Sequence, residues 1–76
     1  MRPSDLRVIV SVRAELRSGG ARQIRVGSGV SAAAVARVVG VSPQAVRAWE
    51  AGAARPTDAH ALAYGRALAA LEKRAA

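Results

Sequence analysis

The polar side chains with the most usable chemistry lie close together, within the stretch from Val30 to Pro56. Gln44 and Arg47 are three residues apart, a spacing that puts them on one face of a helix, and Ala48 and Ala51 follow on the same face. A glutamine amide pairs with an adenine edge, an arginine guanidinium with a guanine edge or a phosphate, and an alanine methyl with a thymine methyl. If this helix lies in the major groove of a duplex, we expect Gln44, Arg47 and Ala48 to contact base edges, with a phosphate as the other target of Arg47. The alternative is that Gln44 and Arg47 are solvated helix positions.

Residues suited to catalysis or metal binding are few. His60 is the only histidine, cysteine is absent, and the five acidic residues are scattered along the chain. The sequence Gly27-Ser28-Gly29 lacks the preceding strand that a phosphate-binding loop needs. We therefore predict that the chain is not an enzyme and needs no cofactor or metal, and we expect His60 to be a solvated surface residue.

Two short helices must position the polar face, and their ends can be placed from the sequence. Ser31 is a suitable N-cap for a helix over residues 32–39, and Gly40 can leave that helix in a left-handed conformation. Ser42 can cap the second helix, with Pro43 at its first position, where no amide donor is needed. Together these signals predict a helix-turn-helix over residues 31–51.

The apolar residues of this stretch are spaced for a steep helix crossing. The small residue Ala36 stands four before Gly40, where two backbones must come close, and Val46 and Trp49 point inward from the second helix. The other positions that must be buried for the crossing to hold are Val35, Val39 and Val41.

The same residues resemble the Cro and lambda-repressor-like (XRE-type) helix-turn-helix family. The similarity covers about residues 21 to 70 and includes the turn glycine, the run Trp49-Glu50-Ala51-Gly52 and the later Arg55-Pro56-Thr57. The resemblance implies an all-α, compact five-helix lambda-repressor-like domain that binds double-stranded DNA with the second motif helix in the major groove. An ordinary αα-hairpin would explain the apolar spacing but not the basic composition.

Further site residues are implied by this resemblance. Arg25 matches a family arginine that pairs with a glutamate, here Glu50, and touches a phosphate. Arg55 resembles the basic loop residue that meets the DNA backbone after the recognition helix.

Two positions depart from the family pattern. Ala32 replaces a common glutamine, so we expect the backbone amides of Ala32 and Ala33 to bind phosphate there. Pro43 occupies the first position of the recognition helix, which is often polar in the family. We place Pro43 among the residues that contact the phosphates of the DNA backbone. With fewer side-chain contacts to DNA than is usual in the family, we expect the protein to discriminate only modestly between DNA sequences, or to rely more on its arginines and on DNA shape.

The rest of the chain predicts three more helices. Residues 1–20 form an N-terminal helical extension, with Ser4 as its cap, Asp5 in its first turn, and a face of Leu6, Ile9, Val10, Arg13 and Leu16. A second helix runs from about Ala21 to Val26. A last helix, capped by Thr57 and reaching roughly Lys73, has a core face of Ala61, Tyr64, Gly65, Leu68 and Leu71.

Composition limits the class of protein and its partners. The 76 residues fit one domain over 1–76, and 12 Lys and Arg against five Asp and Glu give a net charge of +7. Such a charge favours polyanions, nucleic acid before an acidic membrane surface. Without a long apolar segment or a recognisable leader, we expect a cytoplasmic protein that does not bind membranes.

Several functions remain open at this stage. We expect a bacterial or bacteriophage transcriptional regulator that pairs weakly as a homodimer on DNA, through Leu68, Leu71 and the end of the last helix, together with the N-terminal helix. A protein-interaction module with the same fold, such as an antitoxin, an anti-repressor or a docking subunit, is the alternative from another class. An architectural or excision factor is the third.

Overall fold

The computed structural model describes residues 1–75 and the side chains of residues 1–73. This part of the chain contains five α-helices and no strand: α1 (Pro3–Ser18), α2 (Gly20–Gly27), α3 (Ala32–Val39), α4 (Pro43–Ala51) and α5 (Asp58–Ala75). The predicted all-α, five-helix fold is confirmed. None of the described helices combines the length and the apolar character that crossing a bilayer requires.

Three of the predicted caps are present at the helix starts. The Ser31 hydroxyl accepts a hydrogen bond from the Ala34 N–H at 3.0 Å, and the Ser42 hydroxyl accepts one from the Ala45 N–H at 3.2 Å. At the start of α5, the Thr57 hydroxyl accepts from the His60 N–H at 3.2 Å. Each bond satisfies an N–H that the first turn of a helix leaves without a partner.

The start of α1 differs from the prediction. Its N-cap is Arg2, Pro3 lies in the first turn, and Ser4 is inside the helix. The Asp5 carboxylate accepts a hydrogen bond from the Arg2 N–H at 3.1 Å, which holds the entry to the helix in the manner of a capping box. Because proline fits the first helical position, the N-cap lies two residues before the serine that we expected to cap the helix.

The buried face of α1 agrees with the prediction at Ile9 and Leu16 and differs from it at the other apolar positions. Ile9, Val12 and Leu16 are buried, whereas Leu6 is 52% exposed and Val10 is 68% exposed. The apolar run of this segment supplies two overlapping helical stripes, so periodicity alone does not distinguish them. Packing against α5 determines which stripe is buried.

The core is built around α5. Ala61, Tyr64 and Leu68 are almost completely buried between α1, α2 and α3. Gly65 lets α1 come close, because a Cβ there would lie 2.6 Å from Val8 Cγ1 and 3.3 Å from Val12 Cβ. Helix α1 is therefore a full part of the hydrophobic core and not an appendage to it.

Candidate nucleic-acid interface

The turn between α3 and α4 is fixed by backbone geometry and by the core. Gly40 has a φ of +89°, which only glycine adopts at little cost, and its N–H donates to the Ala36 carbonyl at 2.8 Å. The Val41 N–H donates to the same carbonyl at 3.0 Å. Ala36, Val46 and Trp49 are buried beneath this turn, as predicted, so α4 is held rigidly across α3.

The opposite face of α4 carries the predicted base-contacting residues. Gln44 and Arg47 are exposed, and Ala48 is half-buried between them and the body of the domain. Neither polar side chain makes a hydrogen bond or ion pair with another described residue. The structure thus presents an amide and a guanidinium side by side with free donors and acceptors.

Three of the predicted contacts to the DNA backbone lie at the starts of α3 and α4. Ala32 and Ala33 form the first turn of α3, whose initial N–H groups have no acceptor within the helix. The side chain of Ala32 is buried, so only its backbone can face a ligand. Pro43 is half-buried at the start of α4, and since proline has no N–H, it can contact DNA only by packing.

Arg25 and Glu50 form a bidentate ion pair between α2 and α4. Arg25 Nε donates to Glu50 Oε2 at 2.7 Å, and Arg25 Nη2 donates to Glu50 Oε1 at 2.8 Å. The Arg25 side chain is 10% exposed and that of Glu50 is 3% exposed. Arg25 Nη1 also donates to the Val30 carbonyl at 2.8 Å, and the Tyr64 hydroxyl donates to Glu50 Oε2 at 2.7 Å.

This network shifts the pKa values of its members. Burial raises the pKa of Glu50, but the hydrogen bonds from Arg25 and Tyr64 outweigh it, so the net pKa lies below the ordinary value. The hydrogen bond to Glu50 raises the pKa of Arg25. Burial, then the bond to Glu50, raises the pKa of Tyr64, so the phenol remains a hydrogen-bond donor.

A shallow cavity of about 250 Å³ opens beside this ion pair. Its lining contains three arginines, Arg22, Arg25 and Arg47, against the single carboxylate of Glu50. Arg22 lies on α2, one helical turn before Arg25, and its side chain is exposed. The structure brings Arg22 next to Arg47 on the outward face of α4, so that both line one cavity with the Arg25–Glu50 pair.

Arg55 is exposed in the loop between α4 and α5 and lines a second cavity of about 420 Å³. Arg13 and Arg17 of α1 line the same cavity. Arg13 Nη2 donates to the Pro56 carbonyl at 3.1 Å and to Asp58 Oδ1 at 2.8 Å, which ties α1 to this loop. Sequence reasoning assigned no site role to Arg17 and did not predict the Arg13 contacts, which join residues 43 and 45 positions apart.

His60 is half-buried and not a solvated residue as expected. Its ring lies 5.9 Å from the Trp49 ring, centre to centre, at a tilt of 33°. The Tyr64 ring meets the Trp49 ring edge-on, also at 5.9 Å between ring centres. His60 is therefore part of the aromatic packing that supports α4.

In the part of the chain that the structure describes, no group of three or more His, Cys, Asp or Glu side chains is arranged to hold a metal ion.

Comparison with known proteins identifies one family. The model of a helix-turn-helix family matches residues 22–70, which is well over half of the chain. The matched segment runs from α2 into α5 and contains the α3–α4 motif with all the candidate contact residues. It excludes α1. No curated protein and no solved structure matches the chain significantly.

Proposed function

The chain belongs to the XRE-type helix-turn-helix family of DNA-binding regulators, and we propose that it binds double-stranded DNA sequence-specifically, with α4 in the major groove. The supporting observation is the division of α4 into two faces. Val46 and Trp49 fix one face in the core, while Gln44 and Arg47 stand exposed on the other without partners among the described residues. An α-helix with its side chains is about 10–12 Å in diameter, which fits the major groove with its width of about 12 Å.

In the proposed complex, contacts to the DNA backbone surround the Gln44 and Arg47 face of α4. The first-turn amides of Ala32 and Ala33 meet one phosphate along the α3 axis, where the helix dipole favours an anion. Arg25 is held by Glu50 and Val30, which use three of its five N–H donors and leave two for a phosphate. Arg55 grips the backbone from the loop after α4.

We further propose that the protein is a bacterial or bacteriophage transcriptional regulator that acts by occupying an operator. Modest specificity is expected, because Gln44, Arg47 and Ala48 are the only side chains that we assign to base edges. Each well-made bidentate contact discriminates between bases by about 1–3 kcal/mol. Sequence-dependent DNA shape supplies the remaining selectivity.

The test begins with selection of bound duplexes from random DNA, read by sequencing. Affinity for the selected duplex is then measured between low and physiological salt. With about four to six phosphate contacts per protomer, log affinity should fall linearly with log salt, with a slope of roughly −4 to −5. An affinity that does not change with salt, or binding of a protein partner with no binding of any duplex, would contradict the proposed function.

A further inference from the structure

The 420 Å³ cavity between α1 and the loop after α4 is a cationic surface separate from the one beside Arg25. Arg13 and Arg17 approach it from α1, and Arg55 approaches it from the loop. Trp49, Gly52 and the residues up to Pro56 form the rest of its wall together with Leu16. No carboxylate lines this cavity, whereas Glu50 lines the one beside Arg25.

The three arginines of the cavity have different roles. Arg13 is occupied by the Pro56 carbonyl and by Asp58, and its side chain is only 19% exposed, so it holds the wall in place. Arg17 and Arg55 are exposed, and neither makes an ion pair or side-chain hydrogen bond with any other described residue. Two guanidinium groups are thus available on a wall that Arg13 makes rigid.

The position of the cavity relative to α4 indicates its ligand. Helix α4 has nine residues, so its two ends are about 13 Å apart. If its N-terminal residues read base edges on the floor of the groove, its last turn lies near the edge of the groove, where the sugar–phosphate backbone runs. Trp49 and Gly52 place the cavity at that last turn.

We infer that Arg17, together with Arg55, binds a backbone phosphate of DNA that lies outside the base pairs read by α4. This inference rests on the proposed function and adds a contact from α1, which the family model does not cover. The cavity is open at the surface, has two free guanidinium groups and belongs to a protein of net charge +7. An arginine fork suits phosphate oxygens, and the charge of the whole molecule favours a polyanion.

The test compares Arg17→Ala with Arg7→Ala on two duplexes. Arg7 is an exposed arginine of the same helix that lines another cavity, beside Glu15 and Glu72, so its removal is a matched change of charge. One duplex contains the selected site alone, and the other carries ten further base pairs on each side. Thermal unfolding of each variant controls for folding.

On the long duplex, Arg17→Ala should weaken binding roughly tenfold near 0.1 M salt and reduce the salt slope by about 0.9, the value for one phosphate contact. On the short duplex it should bind as wild type does, because the outer phosphate is missing. Arg17→Lys should restore the slope. Base preference should not change in any of these variants.

Other outcomes separate the inference from the proposed function. Equal affinities of Arg17→Ala and Arg7→Ala for the long duplex, with wild type binding it, would overturn the phosphate site and leave the function standing. Loss of affinity on both duplexes alike would also overturn it. Arg17-dependent binding of polyglutamate without any effect on DNA would assign the cavity to an acidic protein. Failure of wild type to bind either duplex would overturn both.

Discussion

At the residue scale, Glu50 joins three helices through one carboxylate. It lies on α4, accepts two hydrogen bonds from Arg25 of α2 and accepts a third from Tyr64 of α5. Removal of one partner from such a buried pair leaves an uncompensated charge, which typically costs about 3–5 kcal/mol. The same network that fixes the Arg25 side chain therefore also orients α4.

The lowered pKa of Glu50 gives the protein a specific sensitivity to acid. The carboxyl binds its proton less readily in the folded protein than in the unfolded chain, so this part of the stability is complete above the ordinary pKa of 4.5 and is lost as the pH falls below it. The lowered pKa of Asp5, caused first by the hydrogen bond from the Arg2 backbone, acts in the same direction.

We expect chemical denaturation of wild type to show stability falling from pH 5 to pH 3 more steeply than Glu50→Gln does, although that variant is less stable at neutral pH. Glu72→Gln, a matched change at an exposed site, should keep the wild-type slope. Parallel pH profiles for wild type and Glu50→Gln would mean that the Arg25–Glu50 pair does not lower the carboxyl pKa.

Gln44 provides the test of how α4 is oriented on DNA. Gln44→Ala should cost about 1–3 kcal/mol on the selected duplex and little on random DNA, and the preference for one base should be lost at one position. Gln23→Ala removes an exposed glutamine from α2 and should leave the selected sequence unchanged. If repeated selection with Gln44→Ala returned the wild-type preferences, the proposed orientation would be wrong.

At the scale of the elements, the caps and the turn could be predicted because their chemistry is local. Ser31, Ser42 and Thr57 each bond to an amide three residues away, and Gly40 needs only its own left-handed conformation. The burial of Val12 in place of Leu6 and Val10 could not be predicted, because it depends on packing beside Gly65, more than fifty residues further along the chain. The Arg25–Glu50 pair came from the resemblance to the family, since no local rule joins residues 25 positions apart.

Two valines of α1 test whether this helix is part of the core. Val12 is 2% exposed and packs near Gly65, whereas Val10 is 68% exposed. Val12→Ala should lower the free energy of unfolding by about 2 kcal/mol, through lost burial and the cavity left behind. Val10→Ala makes the same chemical change on the surface and should stay within about 0.5 kcal/mol of wild type. Equal effects in denaturant titrations would show that α1 is turned differently on α5.

At the scale of the whole molecule, size and charge bear on the proposed homodimer. The described chain measures 30 × 30 × 23 Å, and half-sites one helical turn apart are separated by about 34 Å. Two protomers in successive major grooves on one side of the duplex would therefore lie next to each other with little overlap. Each protomer carries +7, so they repel one another in solution, and DNA neutralises that repulsion.

The surface that we expected to join the protomers needs one correction. Leu68 is 3% exposed and lies in the core, so it is not available for a partner, and Leu71 is partly buried against the same core. The large apolar side chains that α1 exposes are Leu6 and Val10. Their small area is less than a stable interface needs, so pairing should depend on DNA.

We expect sedimentation of the free protein at micromolar concentration to give a monomer, and titration against the selected duplex to saturate at two protomers on an approximately palindromic site. A duplex with a single half-site, used as the control, should bind one protomer at lower affinity, because the neighbouring contact is missing. One short recognition helix covers too few base pairs to select one site in a genome, and a second protomer doubles the sequence that is read. Saturation at one protomer on an asymmetric site would refute the dimer and leave DNA binding by α4 intact, with Arg17 of α1 then providing an additional contact.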